Sequence, residues 1–486
     1  MNPIDAVVNY FNPVAGARRV MARARTATVM NYDAASRGRR SYGWKSPGTA
    51  ADAAAFGARA RLRNLSRDMI RNRPYAMRGR DVVVANVVGE GIMPSIVAEE
   101  AAKAQIEEIL RAHLLTPAMD ALGEYDLLEL QQIVMSAVFS DGEVLLRRRM
   151  RNTRFNAGLP LPYQVELIEV DLLDTNVQSW GQNLVEEGIE YGPTGAIEAY
   201  HILSEHPGAV RNRKAPTTTR VHWSDIIHVR RFDRPGQLRG VPWLAPVMMT
   251  LGELSDYQEG QILKQKMAAL MAAVIEYPDG VQRPAQAGAG LEELAPGAMV
   301  ELPEGAKAQF TNPPVVDGYD EFMRRGLQAV AVGLGVTYES LAGDLKNVNF
   351  SSGRMGRNEM DRLIRMWQRS MMIGQLGVGL ERWFRDGLRL IGLGHLAFSL
   401  HWTPPRRILI DPTKEVPAMI EEIEAGLNSR QSTQRELGRD PDRIRAERAE
   451  DQEKDAAANL APTLPKFPQG ASGTKTEEKE NAEDRP

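Results

Sequence analysis

The chain has 486 residues, 43% of them hydrophobic, with 60 Lys+Arg against 63 Asp+Glu, a formal charge of −3 and no cysteine. That length excludes a single small binding module, and the hydrophobic share can fill a sizeable core. The near-neutral total leaves charge to be read locally, and without cysteine there are no disulfides, thiolate nucleophiles or Cys-ligated zinc or iron–sulfur sites.

Residues 1–17 carry no basic segment followed by a long apolar core, and the most apolar stretch, 267–275, follows Lys264 and Lys266. It falls well short of the roughly 20 apolar residues of a membrane span, so a soluble protein without a membrane partner is expected. Up to Arg80 the chain holds sixteen basic residues and four acids. Both a solvated helical arm and an arm meeting a polyanion or an acidic neighbouring subunit fit that composition.

The spacing of Phe56, Ala60, Leu62, Met69, Ile70 and Ala76 predicts helix, interrupted near Pro74. The β-branched run 82–88 is compatible with a buried strand or a helix end. Amphipathic helices are predicted over 99–115 and 127–139, and Ser140-Asp141-Gly142 marks a turn after the second. Strands are predicted over 143–149, 163–170, 184–191, 197–203, 219–221 and 226–232, making this an α+β region.

After Trp243 a long helix is expected over about 245–275, with Leu263, Met267, Leu270 and Val274 along one stripe. Tyr277-Pro278-Asp279-Gly280 breaks it, and the Gly/Pro-rich section that follows holds strand candidates at 298–302 and 306–310. A returning helix is predicted over 319–333, with Gly333-Leu334-Gly335 as its C-cap. Next come a polar loop, 342–353, and a long helix, 354–391, with kinks at Gly374, Gly377 and Gly379. A strand at 397–402 and helices at 414–427 and 432–437 lead to a charged helix from about 440 and a tail expected to be disordered beyond 461.

No segment has the G-x-x-x-x-G-K-[ST] form that holds nucleotide phosphates, and no histidine pair has H-E-x-x-H spacing. His201, His206, His222 and His228 fall on predicted strands and turns. Phe350-Ser351-Ser352-Gly353 lacks the first glycine of a nucleophile elbow, Asn349 standing in its place. No catalytic set, metal or cofactor is therefore expected, and Trp243, Trp367, Trp383 and Trp402 are expected in the core rather than stacked on nucleic acid.

Several phrases occur together and in order. They are Arg71-Asn72-Arg73-Pro74-Tyr75-Ala76 with Val84-Ala85-Asn86-Val87-Val88-Gly89; Asp141-Gly142-Glu143; Arg234-Pro235-Gly236-Gln237-Leu238-Arg239-Gly240-Val241-Pro242-Trp243; and Gly335-Val336-Thr337-Tyr338-Glu339 with Gly343-Asp344 and Asn347 to Arg354. In these the chain resembles the lambda-type family of tailed-bacteriophage portal (head–tail connector) proteins, over about residues 55–440. The resemblance implies a homo-oligomeric ring, usually a dodecamer, at one capsid vertex of the virion, assembled in the host cytoplasm. Double-stranded DNA would pass through its axis without sequence recognition. Implied partners are the terminase large subunit, which supplies the ATP hydrolysis, head completion or adaptor proteins, and the major capsid and scaffold proteins.

By order of elements the resemblance assigns 1–50 to a basic arm, 51–244 to an α+β wing, 245–276 to a stem helix and 277–317 to the clip. The returning stem helix would be 318–334, the tunnel loop region 335–353, the spine helix 354–395, the crown and C-terminal helices 396–460, and the tail 461–486. Asp344, Lys346, Asn347, Asn349, Phe350, Ser351, Ser352 and Arg354 then stand where the channel is narrowest. The donors and two cations among them can touch phosphates without reading bases; composition alone favours an ordinary polar connector with an N-cap signal, and the position between two long helices with the family phrase reverses that. Lys264 and Lys266 are candidate channel-wall cations, or partners of acids on the next subunit. Two rival readings are a metal-dependent nucleic-acid enzyme using Asp141, Glu143 and Asp171 with Mg²⁺, and a shell or tail protein without a channel.

Overall fold

A computed structural model describes the chain apart from residues 1–6, 9, 30–38, 40–41, 46, 153–157, 211–214, 271–273, 277–306, 310–317, 347, 406–410, 440 and 459–486. It divides into two compact units, Met1–Phe56 with Arg234–Gln237, and Gly57–Asp233 with Leu238–Pro486. In the first unit, helix α1 (Pro13–Val29) begins where the Asn12 side chain accepts the Ala15 N–H at 3.1 Å. The Arg234 guanidinium donates to the Thr49 carbonyl at 3.3 Å.

The second unit opens with α2 (Arg59–Asn72) and α3 (Pro74–Val87), separated at Arg73 because Pro74 at the first helical position has no N–H to give. The run 82–88 therefore ends a helix and is not a strand. β-Branched residues stand in this helix because Val82, Val83 and Val87 are buried, and packing outweighs their modest helix propensity. The short strand β1 (Met93–Val97), which the sequence reading did not anticipate, precedes α4 (Glu100–Leu114) and α5 (Leu127–Asp141). At the start of α5, Asp126 and Glu129 form a reciprocal capping box, and Gly142 with φ 91° closes its C-terminus.

Strands β2 (Glu143–Met150) and β3 (Tyr163–Ile168) follow, then β4 (Ser179–Trp180), β5 (Asn183–Glu186), β6 (Ile189–Tyr191), β7 (Ile197–Leu203), β8 (Thr218–His222) and β9 (Ile226–Arg230). The single strand expected over 184–191 is two, split by a turn where Glu187 has φ 48° and Gly188 φ 85°. These strands pair antiparallel with one another, in a three-stranded sheet of order β3-β2-β9 and a five-stranded sheet β4-β5-β6-β7-β8. Glu143 to Leu146 are buried on both faces of β2. Leu146 joins the main helical core with Val229 and Trp243, whereas Leu145 joins a second core with Ile189, Tyr200 and Ile202.

Helix α6 spans Met248–Leu270, and strands β10 (Val274–Glu276) and β11 (Lys307–Gln309) pair antiparallel with Val274 opposite Gln309. Val274 and Ile275 thus leave the helix expected for them, and the strand candidate 298–302 lies outside the described residues. The predicted stripe on α6 is also corrected, because Leu263 is 59% exposed while Met248, Leu251 and Leu254 are buried. Leu254 faces α7 (Tyr319–Leu334), which approaches so closely that a Cβ on Gly326 would lie 2.5 Å from Leu254 and one on Gly333 2.3 Å from Val247, just before α6.

A short helix α8 (Tyr338–Ala342) leads to α9 (Phe350–Trp367), a π-helical segment Gln368–Gly377 and α10 (Val378–Leu390). Where kinks were expected there is a π segment instead, in which the Gln375 side-chain amide donates to the Ser370 carbonyl at 3.0 Å. The same side chain accepts the Arg230 N–H and donates to the Arg230 carbonyl, both at 2.9 Å, fastening the segment to β9. Gly377 and Gly379 serve close packing, since added Cβ atoms would lie 2.9 Å from Trp402 and 2.5 Å from Ile227. Gly379→Val should therefore destabilise the protein by about 1–3 kcal/mol in urea unfolding, as an overpacked core does.

Strand β12 (Ser399–Thr403) pairs antiparallel with β1, and α11 (Pro412–Glu424), α12 (Arg430–Glu436) and α13 (Pro441–Ala457) end the described chain. The four tryptophans expected in the core, Trp243, Trp367, Trp383 and Trp402, are all buried.

At the end of α4, His113 is buried against Tyr163, ring centroids 4.7 Å apart, and neither ring nitrogen has a hydrogen-bond partner among the described residues. Burial pulls its pKa down to about 4. A histidine depressed below its unfolded value of about 6.5 contributes stability that is intact above 6.5 and lost as pH falls toward about 4. That loss should be on the order of 3 kcal/mol across the window, and His113→Phe should remove it from unfolding curves taken from pH 7 to pH 4, leaving the fall contributed by His228, which is likewise held down at about 4.

Candidate functional site

The connector between α8 and α9 is held at its start by one carboxylate. Asp344 accepts from the Arg324 guanidinium at 3.2 Å, from the Tyr338 hydroxyl at 3.2 Å and from the Lys346 N–H at 3.1 Å. The Lys346 N–H, then Tyr338 and Arg324, hold the Asp344 carboxyl below its ordinary range, while burial and Asp344 push the Tyr338 phenol up. Arg324 lies on α7, so the returning helix and the connector are tied together at this residue.

At its other end the connector stops earlier than the sequence suggested. Asn349 accepts the Ser352 N–H at 2.8 Å, and Ser352 reaches back to the Asn349 N–H at 3.2 Å. This capping box starts α9 at Phe350, so Phe350, Ser351, Ser352 and Arg354 belong to a first helical turn and not to a loop. Ser351, Ser352 and Arg354 are exposed, as are Lys346 and Asn349, and Asn347 lies outside the described residues. Lys264 and Lys266 are exposed on the last turns of α6.

The exposed face of this segment thus offers ammonium, guanidinium, amide and hydroxyl donors, with the nearest carboxylate engaged at its base. Such a surface suits brief contact with phosphate oxygens and carries no arrangement for reading base edges. Asn349→Ala should remove about 1 kcal/mol from the helix start. Hydrogen exchange should then speed up at the amides of residues 350–353 while the rest of α9 and α10 keeps its protection.

A second cluster joins two phrases that lie far apart in the chain. Glu143 is fully buried and accepts from Arg239 at 2.9 and 3.1 Å, from His228 Nε2 at 2.7 Å and from the Gly240 N–H at 2.9 Å. Arg239 also donates to the Glu187 carbonyl at 2.7 Å, and Arg59 pairs with the Glu187 carboxylate at 3.0 Å. Beside it, Arg67 donates to both oxygens of Asp141 at 2.8 and 2.6 Å, while Asp171 receives Arg63 at 2.6 Å and Arg67 at 2.7 Å. A cavity of about 560 Å³ opens here, lined by Arg67, Arg71 and Arg80 as well as Asp141, Glu143 and Glu169.

Asp141, Glu143 and Asp171 are therefore each committed to arginine, which satisfies the charge a pair of magnesium ions would have to neutralise. The carboxyl of Glu143 would be raised by burial, yet Arg239, His228 and the Gly240 N–H hold it at about 2. His228, buried and close to Arg230, is pushed down to about 4 and stays neutral, donating Nε2–H to Glu143. His206, Glu169 and Asp171 also come together, their ligand atoms within 4.8 Å of one another. There the Gly208 N–H occupies His206 Nδ1 at 3.0 Å, so in the neutral ring Nε2 carries the proton and points a donor, not a lone pair, at the carboxylates.

Sequence reading took Asp141-Gly142-Glu143 for turn chemistry and missed its role. Trp243 completes the junction, its N–H bonding the Phe139 carbonyl at 3.0 Å and its indole N–H the Leu334 carbonyl at 3.0 Å. Two of the phrases that carried the resemblance, Asp141-Gly142-Glu143 and the one ending in Trp243, thus meet at one place.

A family model described as phage portal protein, lambda family, matches residues 37–368. The chain belongs to the lambda family of phage portal proteins. Among similar proteins is a probable portal protein of Halomonas phage phiHAP-1, 25% identical over 462 residues, the match covering 88% of each chain. Portal protein B of Escherichia phage lambda is 24% identical over 323 residues, which cover 57% of this chain and 59% of that protein. Among solved structures, a chain from the neck of an empty gene transfer agent particle, computed with C6 symmetry, is 14% identical with TM-score 0.48, covering 83% of this chain and 97% of that one. An HK97 family phage portal protein from Corynebacterium diphtheriae is 13% identical with TM-score 0.31, covering 71% and 94%.

In this chain the junction of α5, β2 and the segment after β9 is held by buried ion pairs and hydrogen bonds, and the connector after Asp344 with the first turns of α9 presents exposed donors.

Proposed function

We propose that this portal protein works as a closed ring of identical subunits, a dodecamer, whose axial hole carries double-stranded DNA into and out of the virion at one capsid vertex. The observation that carries this reading is the family match over 37–368, which includes the connector and the helices on either side of it. In this reading 51–244 is the wing, α6 and α7 are the stem, 277–317 is the clip, α9 to α10 the spine and 396–460 the crown. The terminase large subunit and the adaptor proteins dock on the ring from outside, and the major capsid and scaffold proteins surround it. The chain itself makes and breaks no bond.

Lys346, Asn347, Asn349, Phe350, Ser351, Ser352 and Arg354 then meet the DNA, with Asp344 fixing their base and Lys264 and Lys266 supplying further cations along the wall. Few cations in a tight bore are what translocation requires, because each neutralised phosphate strengthens the grip and slows sliding. The rival enzyme would need Asp141, Glu143 and Asp171 free to hold magnesium, and the arginines on all three weigh against it. Shortening the connector by removing residues 346–348 should leave ring yield unchanged and reduce packaged DNA. Wild-type packaging by that variant would remove the connector from the channel.

A further inference from the structure

Two helices of this chain display outward faces of opposite sign. On α9 and the π segment, Asn358, Arg362, Arg365 and Arg369 recur at spacings of four and three residues, so they share one face, and all are exposed. Beside this row stand Met355, 75% exposed, and Met366, 54% exposed, while Met360, Ile364 and Trp367 occupy the buried side. Arg362 meets Glu359 at 3.3 Å with both side chains more than 70% exposed, a surface pair that holds little. Arg365 and Arg369 have no ion-pair partner among the described residues.

Helix α6 is the counterpart. Glu253, Asp256 and Glu259 follow one another at three-residue steps, all exposed, none ion-paired among the described residues. Met249, 77% exposed, and Leu263, 59% exposed, flank them, with Leu251 and Leu254 on the buried side.

We propose that α6 of one subunit docks on α9 of the next copy, its acid row against the arginine row and the flanking Met and Leu side chains covering each other. Complementary, non-identical faces on one chain are what a head-to-tail contact needs, and repeated around an axis such contacts close into a ring. A nucleic acid lying on α9 would account for the arginines but would leave the acid row of α6 without a counterpart. Solvent alone would leave the exposed Met355 and Met366 of α9 and Met249 and Leu263 of α6 uncovered. The inference rests on the ring reading above and adds which surfaces join.

Charge exchange in the full-length chain tests it. One variant carries Glu253→Lys, Asp256→Lys and Glu259→Lys, another Arg362→Glu, Arg365→Glu and Arg369→Glu, and a third carries all six. Native mass spectrometry and electron microscopy follow assembly, and circular dichroism with thermal unfolding checks that each subunit is folded. Each three-site variant should form at least 10-fold fewer rings than wild type, whereas their equimolar mixture and the six-site variant should recover them. Undiminished rings from both three-site variants would overturn the docking while leaving the ring intact. Wild type without rings at any concentration would overturn both readings. Normal rings from the arginine variant, together with lost binding of linear duplex DNA, would assign the arginine row to DNA instead.

Discussion

Glu143→Ala should destabilise the protein by about 3 kcal/mol, because it removes the nearest counter-charge of a buried arginine and leaves only the Glu187 carboxylate at 3.6 Å. The Arg239 side chain is only 3% exposed and cannot turn to water, and the Gly240 N–H loses its acceptor at the same time. Glu143→Gln keeps the shape and one acceptor oxygen, so it should lose less. Equilibrium unfolding in urea of the full-length chain separates the two. The carboxyl also predicts an acid response: held at about 2, below its unfolded value of roughly 4.3, it contributes stability that is present above 4.3 and lost as pH falls toward 2. Glu143→Gln should abolish that component, whereas the His113 loss between pH 6.5 and 4 should persist in it.

Gly240→Ala should be at least as damaging. A Cβ there would sit 2.2 Å from the Gly142 carbonyl oxygen, while one on Gly142 would sit 2.4 Å from the Val241 backbone. Both obstacles are main chain, which cannot change rotamer, and Gly142 in addition needs its φ of 91° to turn from α5 into β2. Accommodating the methyl would separate β2 from the segment that carries Arg239 and so break the Glu143 hydrogen bonds as well. A loss of about 3 kcal/mol or more is expected, read as a lower unfolding midpoint and as reduced soluble yield. Gly236→Ala is the control: an added Cβ meets nothing within 4 Å, and only its φ of 75° resists the change.

These two positions also show what the sequence could and could not convey. Hydrophobic spacing located α4, α5 and α7, and alternation with turn residues located β2, β3 and β7, because those signals are local. The pairing of Glu143 with Arg239 spans 96 residues. Neither residue looks unusual in its own neighbourhood, so only the shared family phrases hinted that both mattered. Strand β1 was invisible for a similar reason, its partner β12 lying some three hundred residues away, with Pro94 in a five-residue run.

The connector was legible as a polar break between long helices, but its end was not. Asn349 and Ser352 read equally as loop residues or as a capping box, and only the geometry shows the box. The π segment has no periodic signature either, since its extra residue per turn is set by Gln375 gripping β9. On α6 the same spacing that suggested a stripe is met by an exposed Leu263, while the buried Leu251 and Leu254 lie nearer the start of that helix.

The central claim is that the segment from Asp344 to Arg354 faces the hole of a ring. Electron cryomicroscopy of the purified full-length protein, viewed down its symmetry axis, tests this most directly. Closed rings are expected, with Lys346, Ser351 and Arg354 on the wall of the narrowest part of an axial opening. Monomers and dimers alone, or rings with that segment on the outer rim, would contradict it.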